Sequence, residues 1–126
     1  MVYVEATVHT SRPVGEAYDR VTTWEHHRVP FTQIRRRPEG FVARTGIGPL
    51  GFDDPMRVVR ADRPRCVQLV KEGRVVTGWA IIDVESDGEG SVVTWQEELS
   101  FLGVPDPLIA PAARWMVRRT LAQLLA

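Results

Sequence analysis

The chain has 126 residues, 44% apolar and 25% charged, with sixteen basic residues balancing sixteen acidic ones. That length suits one domain able to bury roughly two thirds of its unfolded surface. The neutral balance argues against a dedicated nucleic-acid binder, and the single cysteine, Cys66, excludes an internal disulfide or a multi-cysteine metal site.

The first strand follows from strict alternation over Val2–His9, with Val2, Val4, Ala6 and Val8 on the core face. Ser11 is a candidate N-cap and Pro13 fits the first helical turn. Val14, Ala17, Tyr18 and Val21 then share one face of a helix of about ten residues. Trp24-Glu25-His26-His27 reads as a second short turn, with Trp24 packing beneath the first helices. From Phe31 onward the period becomes two, predicting strands at 32–37, 40–45, 55–61, 66–72, 75–85 and 91–101. Cys66 is expected there as a small buried hydrophobe. Connections of two to five residues, such as Pro38-Glu39-Gly40 and Glu72-Gly73-Arg74, imply antiparallel hairpins. The closing helix starts after Gly103-Val104-Pro105, with Asp106 as N-cap, Pro107 at N1, and Pro111 kinking it or delaying its regular start. Its expected core face includes Ala113, Met116, Val117, Leu121 and Leu124, with Trp115 on the opposite side.

No charged-then-apolar leader opens the sequence and no run of about 18 apolar residues interrupts it, so a cytoplasmic protein without membrane insertion is expected. Fifteen arginines against one lysine fit a GC-rich bacterial genome. The arginine clusters are mostly interspersed with acidic residues and read as solvated surface.

The order strand, short helix, strand meander, long helix resembles the START/polyketide-cyclase/pollen-allergen (SRPBCC) superfamily. The resemblance is carried by Ser11-Arg12-Pro13-Val14-Gly15-Glu16-Ala17-Tyr18 after the first strand, the Ala61-Asp62-Arg63-Pro64 corner, the late Val93-Thr94-Trp95-Gln96-Glu97-Glu98 strand and the terminal helix. It spans essentially the whole chain and is nearest to small bacterial polyketide cyclase/dehydrase-like proteins. It implies an α+β helix-grip fold, a curved antiparallel sheet of about seven strands around the last helix. It also implies a cavity for a hydrophobic or aromatic small molecule, lipid- or polyketide-like. No cyclase motif matches residue by residue, so no catalytic residue is carried over and no cofactor is implied.

Gly46-Ile47-Gly48-Pro49-Leu50-Gly51 spells a dinucleotide fingerprint, but Pro49 interrupts it and no helix follows to meet a pyrophosphate. A glycine-rich loop at the cavity rim is the preferred reading. His26 and His27 are adjacent and point apart, and with His9 they fall short of a zinc set. Glu97 shares its parity with Val93, Trp95, Leu99 and Phe101. A carboxylate there is either ion-paired to an arginine such as Arg44 or a polar anchor in the cavity.

Three functions follow as expectations. The first is binding of a hydrophobic small molecule, with Phe52, Met56, Trp79, Trp95 and Met116 giving contact area and His26, Arg44 and Glu97 orienting it. The second is a polyketide cyclase or dehydratase using His26 or Glu97 as general acid/base. The third is an interaction module on the outer face of the last helix, centred on Trp115, with a homodimer as one such assembly.

Overall fold

A computed structural model describes residues 1–27, 32–46 and 51–126. Strand β1 (Val2–Thr10) leads into helix α1 (Val14–Thr22) and a 3₁₀ turn (Trp24–His26). Six strands follow: β2 (Thr32–Arg37), β3 (Gly40–Thr45), β4 (Phe52–Asp62), β5 (Cys66–Glu72), β6 (Val76–Asp87) and β7 (Gly90–Phe101). Helix α2 (Asp106–Leu125) closes the chain. The strands form one antiparallel, curved sheet in the order β1-β7-β6-β5-β4-β3-β2. Only β1 leaves sequence order, docking beside the last strand, as in the helix-grip fold.

Alternation decides which face is buried. Along β7, Val93, Trp95, Glu97 and Leu99 turn inward while their neighbours stay partly exposed. Val2, Val4 and Ala6 do the same on β1, in register with Leu99, Glu97 and Trp95. A bulge between Val58 and Arg60 adds a residue to β4, which bends that strand. Gly78 tightens the centre of the sheet. Its φ is +145°, and a Cβ there would lie 1.9 Å from the Glu98 carbonyl oxygen, so no side chain fits.

Helix α2 lays Ala113, Val117, Thr120, Leu121, Leu124 and Leu125 inward. Its C-terminal half packs with Ala17 and Val21 of α1 and with Val4, Ile82 and Val93 of the sheet in one apolar core. Trp115 is 53% exposed on the far side, under the Arg119 guanidinium 5.0 Å from its ring centre.

Strands β6 and β7 differ from the expected bounds by one or two residues, and three further differences are local in origin. Helix α1 starts at Val14 with Pro13, not Ser11, at the N-cap. Pro13 is extended, and its carbonyl accepts the Ala17 N–H at 2.9 Å. Helix α2 includes Asp106 and has the extended Pro105 at the N-cap; the Asp106 carboxylate pairs with the Met1 ammonium at 2.6 Å and does not cap the helix. It then runs on through Pro111 with no delayed start; Pro111 lies past the first turn, so the Pro107 carbonyl goes without its i+4 N–H partner. Strand β4 starts at Phe52, three residues before the expected Pro55. Proline is tolerated because the β5 pairing begins only at Met56, leaving Pro55 paired on one side alone.

Candidate functional site

The N-terminal half of α2 stands off the sheet and leaves a cavity of about 320 Å³. Its volume is at the lower end for small-molecule sites. Ile109, Ala113, Met116 and Val117 form the helix side, and Ala112 and Met116 also reach the exterior. Phe41, Phe52, Met56 and Trp95 supply bulk on the sheet side. Aromatic contacts stiffen one wall: Trp24 stacks on Phe41 with centroids 4.8 Å apart, and His27 lies 5.7 Å from Trp95. At the other end the Phe52 and Phe101 rings meet edge to face at 5.2 Å.

Three charged side chains enter this apolar space from three strands. Lys71, the sole lysine of the chain, places Nζ 3.3 Å from Asp54 Oδ2 and 3.5 Å from Glu97 Oε1. Strand pairing explains how they meet. Asp54 comes from β4, directly beside β5. Glu97 is on β7, two strands from Lys71, across a gap of roughly 10 Å at the usual strand spacing. The intervening β6 residues are Gly78, opposite Lys71, and Ala80, opposite Glu97. With nothing larger between them, the lysine stem crosses β6 and delivers its ammonium to the carboxylate.

Burial costs each of these groups its hydration. It pushes the Asp54 and Glu97 carboxyls above their ordinary values, against the opposing pull of Lys71. Burial alone would lower Lys71, but the two acids outweigh it and hold the ammonium above its usual range. All three directions follow from burying two acids against one base, so the cluster holds one more acidic group than basic groups. Two buried polar atoms on cavity-lining residues have no partner among the described residues, the acceptor Asp54 Oδ1 and the donor Trp95 Nε1–H. An orphaned buried polar atom costs about 1–3 kcal/mol, and a bound ligand is one way to recover it.

Of the residues singled out in the sequence, Phe52, Met56, Trp95, Glu97 and Met116 line this cavity. His26, Arg44 and Trp79 do not. His26 is exposed on the 3₁₀ turn, and its neighbour His27 turns inward instead, its Nε2 2.8 Å from the Val21 carbonyl oxygen that accepts its proton. Arg44 pairs with Asp53 at 3.3 Å, on the parity of β3 opposite to the cavity-lining Phe41, Ala43 and Thr45. The cation of Glu97 is therefore Lys71, not Arg44. Trp79 occupies the opposite sheet face, 6.4 Å from the Tyr3 ring, because it is one residue out of phase with Ala80. The glycine-rich rim falls largely on positions 47–50, outside the described residues.

Lys71 and Asp54 were missed by the sequence reading. Lys71 follows Val67 and Leu69 at steps of two, the same signal that marked Glu97. Asp54 lay in a segment read as loop because Pro55 was taken for the strand start. Among the described residues no group of three His, Cys, Asp or Glu is arranged to hold a metal ion, and no helix is long and apolar enough to cross a membrane.

No family model matches the chain, and no curated protein matches its sequence. Solved structures do match. A START superfamily protein from Mycobacterium smegmatis superposes with a TM-score of 0.75 at 14% identity, covering 98% of this chain and 93% of that one. The fold is START-like. XoxI from Bacillus cereus gives 0.75 at 16% identity over 99% of this chain and 94% of its own. The Aha1 dimer from Colwellia psychrerythraea gives 0.68 at 14% identity, with coverages of 99% and 94%. At these identities the likeness is one of fold, and the START-like sheet and helix surround the cavity described above.

Proposed function

We propose that the protein binds a hydrophobic or aromatic small molecule, lipid- or polyketide-like, in the cavity between the sheet and the N-terminal half of α2. The observation that carries this reading is an apolar space holding one compact charged cluster and two unpaired polar atoms. Apolar walls give affinity and a few fixed polar groups give orientation, the usual division of labour in ligand sites. Decanol and naphthol serve as probes, titrated by calorimetry. Binding of either at micromolar to millimolar concentration is expected. Ala43→Leu, which extends a cavity-facing side chain into the space, should weaken it by about tenfold or more through lost volume. Absence of binding by both probes rejects the reading.

A second reading is a cyclase- or dehydratase-type enzyme, favoured by two carboxyls beside Lys71 that burial raises above their ordinary values. An acid held neutral near neutral pH is the form a general acid requires. Glu97 is the acid/base candidate that faces the cavity; exposed His26 does not. Absence of turnover of a polyketide-like precursor by the wild type would reject it, and turnover that survives Glu97→Gln together with Asp54→Asn would reject the assignment of these acids.

A further inference from the structure

The cavity's charged cluster contains two acids and one base, and that asymmetry selects among apolar ligands. Asp54 Oδ2 and Glu97 Oε1 each face Lys71 Nζ, at 3.3 and 3.5 Å. The ammonium is thereby committed to two carboxylates, and Met56 Sδ lies 3.5 Å away on a third side. Asp54 Oδ1 remains buried and unpartnered, on a cavity-lining residue that is 8% accessible. An incoming carboxylate would find no unpaired cation among the described lining groups and would add a third acid to the cluster. An incoming alcohol would satisfy Asp54 Oδ1 with a neutral hydrogen bond. An incoming ammonium would satisfy it with a charge-assisted bond and balance the second carboxylate.

The rest of the cavity does not reverse this preference. The residues facing the cluster from α2 (Ile109, Ala113, Met116, Val117 and Thr120) are uncharged. On β6, Val76 and Ala80 are apolar, and the described lining of β2 and β3 consists of Thr32, Ile34, Phe41, Ala43 and Thr45. His27 is the one further titratable residue among the described lining groups. The faces of Trp24, Phe41 and Trp95 suit a cation as well as an apolar chain. Trp95 Nε1–H can donate to any oxygen on the same ligand and does not decide the sign of the head group; Asp54 does.

We propose that the ligand is an amphiphile with a basic nitrogen: an apolar chain or ring system inside the cavity and a protonated amine held by Asp54 Oδ1. This inference rests on the cavity being the ligand site and deepens that reading by assigning the head group. No covalent step is involved.

The test compares decylamine, decanol and decanoate, which share one chain length and differ in the head group. Each is titrated into the intact protein by calorimetry at pH 7, below its aggregation threshold. Decylamine is expected to bind about ten- to a hundredfold more tightly than decanoate, with decanol between them. In Asp54→Asn the amine should lose that advantage over decanol while decanol binding changes less than about threefold. Decanoate binding as tightly as decylamine, or an amine advantage that persists undiminished in Asp54→Asn, would overturn the head-group assignment while leaving the apolar site standing. Failure of all three to bind the wild-type protein would overturn both. Circular dichroism of the variant shows that it is folded, and the wild-type comparison of amine with acid decides the matter without it.

Discussion

The two halves of α2 face the same sheet and do opposite things. Toward the C-terminus, Leu121, Leu124 and Leu125 meet α1 and the aliphatic rows of β1, β6 and β7, and the space is filled. Toward the N-terminus, Ala112, Ala113 and Met116 oppose Ala43, Met56 and Ala80, and the space stays open around Lys71, Asp54 and Glu97. Helix length and sheet curvature are common to both ends. What differs is side-chain volume and the presence of charge. Stability is concentrated where packing is complete, and that leaves the other end free to carry groups that weaken the fold and can hold a ligand.

The sharpest way to break this contrast is to hollow out the filled end. Leu121 is fully buried, and Leu121→Ala should cost about 4 kcal/mol, the range seen for a cavity in a core that cannot collapse. Urea denaturation checks it; a cost below about 1 kcal/mol would show that this end does not anchor the fold.

At the open end the largest expected effect is electrostatic. Lys71→Met leaves two buried carboxyls with no cation and should cost about 3 kcal/mol at pH 8. Acidification protonates both acids, so the deficit should shrink markedly by pH 5. A cost unchanged between the two pH values would mean that the lysine acts through packing alone.

Glu97→Gln is a finer probe of the same cluster. Asp54 and Glu97 are both raised by burial, so between the ordinary and the raised values the native state binds more protons than the unfolded chain. Their contribution to stability is complete below the ordinary carboxylate range and is lost as pH rises through the raised values. The wild type should therefore lose stability as pH climbs above that range, and the variant should lose less. Lys71, also raised, adds a loss only beyond the ordinary lysine range, outside this window. The depressed carboxyl of Asp19, paired to Arg63, has the opposite sign, but it is common to both proteins and cancels in the comparison. At neutral pH Glu97→Gln should sit within about 1 kcal/mol of the wild type, on the stabilising side. Parallel stability-versus-pH curves for the two proteins would refute a raised Glu97 carboxyl.

The smallest effect is expected on the outer face of α2. Trp115→Ala removes an exposed ring and its contact with Arg119, and should change stability by less than about 0.5 kcal/mol. If sedimentation reveals an oligomer that this substitution dissolves, the outer face, and not only the cavity side, carries function.

Much of this architecture was legible as pattern. The period-two runs located β2, β3 and β5 to the residue, and the heptad-like spacing of α2 separated Trp115 from the buried leucines, because both signals depend on neighbours along one element. The candidate site was read in part. Glu97 stood out as a charge on an apolar parity, but its partner was assigned to Arg44, which belongs to the other parity of its strand. Trp79 was chosen for its size, although its phase with Ala80 puts it on the outer face.

The alternation of side chains along the chain thus determined which strands exist, which faces are apolar and where the last helix lies, since these are local consequences of backbone geometry. Only the tertiary structure decided that Lys71 reaches Glu97, because that contact crosses an intervening strand and requires Gly78 and Ala80 to be small at one place. The bonding of His27 in place of His26, and the open space beside Asp54, were likewise decided in three dimensions. Each depends on distances between elements far apart in the chain, which no periodicity encodes.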